Sequence, residues 1–221
     1  MTNEQVQKLR TITLTSGSIK ELAPNCEQLN IRGAVALHQE VRLKTISTHG
    51  HSSFHSRVEA HVLKNTGSCV IKDFCEINEM TNAGNLKMRN GQVQKINSSG
   101  KLTIEQKLQA EHFNATGLVK AEEIHAKQFQ LKMSGRSEIN QLIADEIYVE
   151  KDRLSLSFLK KKLVCKSIQG RTLELSNTDA EIVEGDVVVI EDNCIIQTLY
   201  YKQDYSISPN AKVQQIIRSE N

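Results

Sequence analysis

Apolar and polar residues alternate along most of this chain, and glycine punctuates the alternation at a near-constant interval. Gly17, Gly33, Gly50, Gly67, Gly84, Gly100, Gly117 and Gly135 lie 16, 17, 17, 17, 16, 17 and 18 residues apart. A short fixed period is the mark of a stacked-repeat architecture. With the seven repeats from Gly33 to Gly135 aligned on their glycines, 22 of the 28 residues at offsets −4, −2, +2 and +4 are apolar, against 5 of 28 at the interleaved offsets. A period of two on both sides of the glycine predicts two short strands, each with one buried face; a helical period would mix the two sets.

The buried columns read down the stack. Offset −4 gives Leu29, Ile46, Leu63, Met80, Ile96, Phe113 and Leu131, and offset +4 gives Leu37, Phe54, Ile71, Met88, Ile104, Ala121 and Ile139. A third inward pair precedes them: Val41/Leu43, Val58/Ala60, Cys75/Ile77, Gly91/Val93 and Leu108/Ala110. The alternation breaks between these sets, so three strands and three corners per 17 residues predict a triangular coil. Parallel coils about 4.8 Å apart, roughly twelve of them, would form a rod of about 60 Å. Glycine marks one corner, where positive φ or close backbone approach is demanded. The column at offset −2 carries Thr48, Asn65, Asn82 and Ser98. Stacked amides hydrogen-bond along such a column, so Asn65 and Asn82 are expected to satisfy each other as a structural ladder.

Beyond Gly135 the spacing loosens. Gly170 follows 35 residues later, about two coils, and Gly185 after 15. Between Gly135 and Gly170, Leu154 to Leu163 (LSLSFLKKKL) reads as an irregular coil or an extruded loop. Alternation resumes in Leu173/Leu175, Val187/Val189 and Ile195. Prolines occur only at Pro24 and Pro209, and no linker-like stretch interrupts the chain. The expected organisation is a polar tail over 1–11, one β-helix domain over 12–217 and a short tail over 218–221.

Composition narrows the function classes. Net charge is +2, from 28 basic and 26 acidic residues interspersed along the chain, which gives no case for a nucleic-acid partner. Aromatic residues make up 4% and Trp is absent, which argues against a sugar- or base-stacking platform. The opening MTNEQVQKLR is too polar for a signal peptide, and no apolar run reaches membrane-spanning length, so a cytoplasmic protein is expected. Cys26, Cys69, Cys75, Cys165 and Cys194 fit that as reduced thiols, with Cys69 and Cys75 on inward positions.

Candidate chemistry is thin. His49 and His51 flank Gly50, with His55 and His61 nearby, but no carboxylate lies between Gly50 and Arg57 and no Cys pair has zinc spacing. Glu122/Glu123 and Glu191/Asp192 read as solvated corner residues. No phosphate-cradling GxxxxGK[ST] or GxGxxG is present. No catalytic, metal or cofactor site is therefore expected, and the chain reads as a non-enzyme. Phe158, Leu159, Lys160, Lys161 and Lys162 form a candidate partner or membrane contact. Three lysines at about 1 kcal/mol each fall short of stable anchoring, so any membrane contact would be peripheral.

A coil of 17 residues built as apolar-x-apolar-x-Gly-x-apolar-x-apolar resembles the bactofilins, bacterial polymer-forming cytoskeletal proteins. The segments SGRSEINQLIADEIYV (Ser134 to Val149), SFLKKKLVCKSI and AEIVEGDVVVIEDNCII are similar to the longer members from Firmicutes. The resemblance implies a right-handed parallel β-helix that polymerises end to end without nucleotide and scaffolds envelope processes such as cell shape, wall synthesis or motility. It also implies itself, a paralogue, or envelope and motility proteins as partners, at the inner face of the membrane. Neither Pro-rich flanking tails nor a clear apolar N-terminal targeting segment is present. Solenoid ends expose unpaired ladders and a slice of core. The expected polymer interface is Ile12, Leu14 and Ile19 at one end and Tyr200, Tyr201, Tyr205, Ile207, Val213, Ile216 and Ile217 at the other. Two other readings share the coil. A trimeric hexapeptide acyltransferase would need a six-residue side repeat and a catalytic His facing a cleft; a surface or phage adhesin would be longer and richer in sugar-binding aromatics.

Overall fold

The computed structural model describes residues 10–23, 25–152 and 160–219. Thirteen parallel strands run from β1 (Thr11–Ile19) to β13 (Lys212–Arg218), and no helix occurs among these residues. Each strand pairs with the next turn of the chain, in a single path from β1 to β13 with the short β4 (His51–Phe54) bridging β2 (Gln28–Leu37) and β6 (Ser68–Asn82). The result is a parallel β-solenoid of about 12 turns with a spacing near 17 residues. Pairing within one turn falls into three segments, such as 28–31, 34–37 and 41–43, separated by unpaired corners. We call the faces carrying these segments the first, second and third.

The predicted columns are the core. Leu29, Ile46, Leu63, Met80 and Ile96 are wholly buried, as are Leu37, Met88 and Leu131. Phe113 and Phe129 stack with ring centroids 4.8 Å apart, which lets two large rings fill successive layers of one column. The polar column also lies inside. Thr48 Oγ1 donates to Asn65 Oδ1 (2.7 Å), Asn65 Nδ2 to Asn82 Oδ1 (2.8 Å) and Asn82 Nδ2 to Ser98 Oγ (3.0 Å). Each Asn also accepts a corner amide, Gly67 N–H for Asn65 and Gly84 N–H for Asn82. The ladder thus ties the core to the glycine corner and leaves these buried amides hydrogen-bonded.

Close approach, not positive φ, explains Gly33, Gly50, Gly67, Gly84 and Gly100 at that corner, whereas Gly17 has open space and a φ of 120°. A Cβ at Gly67 would stand 2.1 Å from the Gly50 carbonyl oxygen, and one at Gly84 2.1 Å from that of Gly67. Stacked carbonyls occupy the space a side chain would need.

The C-terminal coils depart from the expected register in two ways. Between β9 (Arg136–Lys151) and β10 (Lys162–Leu175) the step lengthens, so that Ile139 pairs with Cys165 and Val149 with Leu175. The additional residues of this step fall between Lys151 and Lys162, and 153–159 among them lie outside the described residues. Gly170 and Gly185 do not continue the glycine corner; they pair with each other and with Ala144 on the third face. The corner passes instead to Asn177 (φ 48°) and Asn193 (φ 60°), whose short amides suit left-handed backbone. The parity after Leu175 is also opposite to expectation: Val188, Ile190, Cys194 and Ile196 point inward, while Val187 and Val189 are half-buried and Ile195 is exposed. The two-residue alternation is the same in either phase, and the shorter turns of this region select the other one.

Candidate functional site

Among the described residues, inward side chains at both ends of the rod are half-buried. At the N-terminal end Ile12, Leu14 and Ile19 of β1 are half-buried and pack on the coil beneath, with Leu22 and Cys26 beside them. At the C-terminal end the inward columns stop without a covering layer among the described residues. Ile216 lies over Leu199 in β12 (Ile195–Ile207), which is wholly buried, yet is itself 42% exposed. Tyr205 lies over Val188 and is 38% exposed, while Ile207 lies over Ile190 and Val213 over Ile196, both half-buried. Tyr201 is half-buried and its ring sits 4.5 Å from that of Tyr205, giving an aromatic pair at this end. Tyr200 and Ile217 belong elsewhere: they share an outward column with Gln169 and Glu184 and so flank the end on the third face.

The lysine run does not form one exposed patch. Lys162 Nζ stands 2.5 Å from Asp179, with its side chain only 12% exposed, and Lys161 donates to the Asp152 carbonyl. Lys160 is exposed. Phe158 and Leu159 lie outside the described residues.

The histidines do not converge. His49 Nδ1 pairs with Thr66 Oγ1 at 2.8 Å on the glycine corner, and His51 and His61 are exposed on other parts of the coil. His55 leaves this group for the opposite corner, where its ring lies 4.3 Å from that of His38 and its Nε2 3.3 Å from Lys72 Nζ. Burial, then the charges of Lys72 and His38, lower the His55 pKa. Among the described residues no set of three His, Cys, Asp or Glu is placed to hold a metal ion. The cysteines are free thiols; burial pushes Cys69 up to about 11 and Cys75 to about 12, so both stay protonated at neutral pH.

Charged side chains pair from coil to coil, a feature that reading the chain residue by residue misses. The third corner carries Glu111, Lys127, Asp145, Arg171, Asp186 and Lys202 in successive turns, so the sign alternates at every step. Lys127 meets Glu111 at 2.7 Å, Arg171 meets Asp145 at 3.0 Å and Lys202 meets Asp186 at 3.6 Å. The signal lies in the sequence only as opposite charges one turn apart, and the 26-residue step between Asp145 and Arg171 conceals it. A groove of about 560 Å³ on the first face runs over the backbone of Ile96, Phe113 and Phe129, whose side chains are buried beneath it, between outward side chains such as Lys95, His112 and Tyr148. Among the described residues no helix is long and apolar enough to cross a membrane.

No family model matches the chain, and no solved structure matches it. A curated relative, the uncharacterized protein YhbE of Bacillus subtilis (strain 168), is 40% identical over 52 residues, a segment that covers 24% of this chain and 22% of that protein. The chain therefore matches under a quarter of the length of that relative, and what the comparisons add is a local likeness within a repeat fold.

Proposed function

We propose that this protein is a non-enzymatic, bactofilin-like scaffold subunit that stacks end to end into nucleotide-independent filaments. The observation that carries the reading is the uncovered C-terminal layer: Ile216 and Tyr205 continue columns whose members beneath are wholly buried. An open parallel ladder with an apolar slice of core is complementary to another open ladder, and a heterologous stack of rods does not close on itself. Burying such surface is favourable at about 25 cal/mol per Å². The half-buried Ile12, Leu14 and Ile19 supply the corresponding surface at the other end. A filament of this kind offers long, repeated side faces, and that suits scaffolding of envelope, wall or motility proteins beneath the membrane.

Negative-stain microscopy and sedimentation in plain buffer test the reading. Filaments several rods long are expected with or without ATP or GTP, and Ile216→Asp and Ile207→Asp should each shorten them while leaving circular dichroism unchanged. A monomer at all concentrations, or a length that follows added nucleotide, would overturn it.

A further inference from the structure

Successive coils place a basic side chain at the corner between the second and third faces. Lys20, His38, His55, Lys72 and Arg89 each directly follow the last paired residue of a second-face segment, Ile19, Leu37, Phe54, Ile71 and Met88. Coils repeat about every 4.8 Å, so the run is about 19 Å long. It ends at the next coil, where Glu105 follows Ile104 and pairs with Lys87 at 2.6 Å. The third corner alternates in sign at every step, whereas this one repeats a single sign, and like charges on neighbouring strands repel.

Three members of the run meet at its centre. The His38 and His55 rings lie 4.3 Å apart, tilted by 35°, and Lys72 Nζ stands 3.3 Å from His55 Nε2. With His55 neutral, its Nε2 accepts from the Lys72 ammonium and its own proton sits on Nδ1. Protonation of His55 removes that acceptor and leaves cationic groups from three coils side by side. The carboxylates around the corner are engaged elsewhere or stand apart. Glu40 pairs with Arg42, Glu105 with Lys87, and Asp73 accepts the Phe74 N–H. Among the described residues neither these nor Glu21 forms an ion pair with a member of the run. Arg57, the next cation along the chain, is held by Glu59 and Glu76, and the adjoining Gln39, Ser56, Ala36, Ser53 and Val70 are uncharged.

We propose that this corner is a proton-linked binding site for a terminal phosphate group, held by His38, His55 and Lys72 and flanked by Lys20 and Arg89. The ligand class follows from the donors. N–H groups one coil apart, about 5 Å, are bridged by the oxygens of one anion at hydrogen-bond distances of about 2.8 Å. A terminal phosphate presents three oxygens, one for each central donor, and about 1.5 to 2 negative charges. A carboxylate presents two oxygens and a single charge, which leaves one donor unanswered. The bound anion replaces repulsion between stacked cations with charge-assisted hydrogen bonds.

Proton and phosphate promote each other here. Burial, then the charges of Lys72 and His38, hold the His55 pKa down. An anion set among the three groups acts in the opposite sense to those charges and raises it. The site therefore fills as pH falls through the histidine range and empties above it. The inference stands on the corner alone and does not require end-to-end stacking.

The test uses the full chain carrying Ile207→Asp and Ile216→Asp, so that end contacts do not contribute, and follows each histidine ring by NMR from about pH 5 to 8. Inorganic phosphate at about ten times its dissociation constant, compared with chloride at equal ionic strength, should raise the His55 midpoint by about one pH unit. His61, exposed on the third face and outside the cluster, is read in the same spectra and should stay in place. Lys72→Gln should weaken phosphate binding about tenfold, and Lys95→Gln, an exposed cation of the first face, should leave it unchanged. Calorimetry of the unmodified chain gives the same reading without the end substitutions, with phosphate about tenfold tighter at about pH 5.5 than at about 7.5. Phosphatidic acid in phosphatidylcholine vesicles, at the same phosphate concentration, separates the sources. A larger shift than inorganic phosphate produces assigns the ligand to a lipid headgroup; an equal or smaller one assigns it to soluble phosphates. A His55 midpoint that phosphate moves no more than that of His61, or moves equally after Lys72→Gln, would overturn the proposal. Filaments of the unmodified chain without a phosphate effect would sink this inference alone; a phosphate effect without filaments would sink the end-stacking reading alone.

Discussion

Between Gly33 and Gly117 the tight corner is closed by glycine, the buried polar column runs from Thr48 to Ser98, and successive turns are 16 or 17 residues. Beyond the lengthened turn the same corner is closed by Asn177 and Asn193 and the amide ladder has ended, while the stacked charges of the third corner begin at Glu111 in the first region and run on to Lys202. Both regions stack the same three-sided coil. Surface ion pairs link coils in both, from Arg42 on Glu59 to Lys202 on Asp186, and the first is held in register from inside as well, by buried groups that water does not reach. Interior ties make a coil intolerant of substitution, whereas surface ties can be lost one at a time. The second region is also where the core lies uncovered, at Tyr205 and Ile216.

Breaking the interior of the first region should have the largest effect. Ile96→Asp puts an unpaired charge in a wholly buried column and should abolish the cooperative melt followed by circular dichroism. Gly84→Ala comes next. Its Cβ would lie 2.1 Å from the Gly67 carbonyl oxygen, which is backbone and cannot swing aside, so a loss of at least about 3 kcal/mol in denaturant unfolding is expected. The corresponding change in the second region, Asn193→Gly, retains the left-handed corner and should shift stability by less than about 1 kcal/mol.

Asn82→Ala sharpens the contrast further. It takes from the Asn65 amide one of three acceptors, the Gly67 and Asn85 carbonyls remaining, and leaves the Gly84 N–H without its partner in a dry column, at about 1–3 kcal/mol for the orphaned group. Hydrogen exchange should then quicken in the coils around Gly84 and not around Asn193.

The smallest effect belongs to the surface ladder. The Lys127 hydrogen bond and charge lower the Glu111 pKa, so this contribution is complete above the unfolded carboxylate pKa and is lost as pH falls through the lower folded value. The same contact raises the Lys127 pKa, so its share is present below the unfolded amine value and lost as pH rises through the folded one. Lys127→Met should therefore flatten a slight acid dependence of the melting temperature below about pH 4 and reduce its salt sensitivity. An equal acid dependence with and without Lys127 would show that the ladder contributes nothing.

The alternation and its period were sufficient to place Leu29 through Ile139 inside a triangular coil, and the spacing of Asn65 and Asn82 was sufficient to place one amide above the other. A two-residue period and a 17-residue repeat are local regularities, and stacking converts them directly into contacts. The same regularity is silent about phase once the repeat length changes, which is why Val188 and Ile190, not Val187 and Val189, entered the core. It is silent too about groups brought together across an irregular step, such as Arg171 on Asp145. Sequence by itself determined the coil, its core columns and its glycine corner, because those depend on neighbours at fixed separation. Only the tertiary structure decided which surface charges meet, because that depends on how many residues each turn spends at its corners.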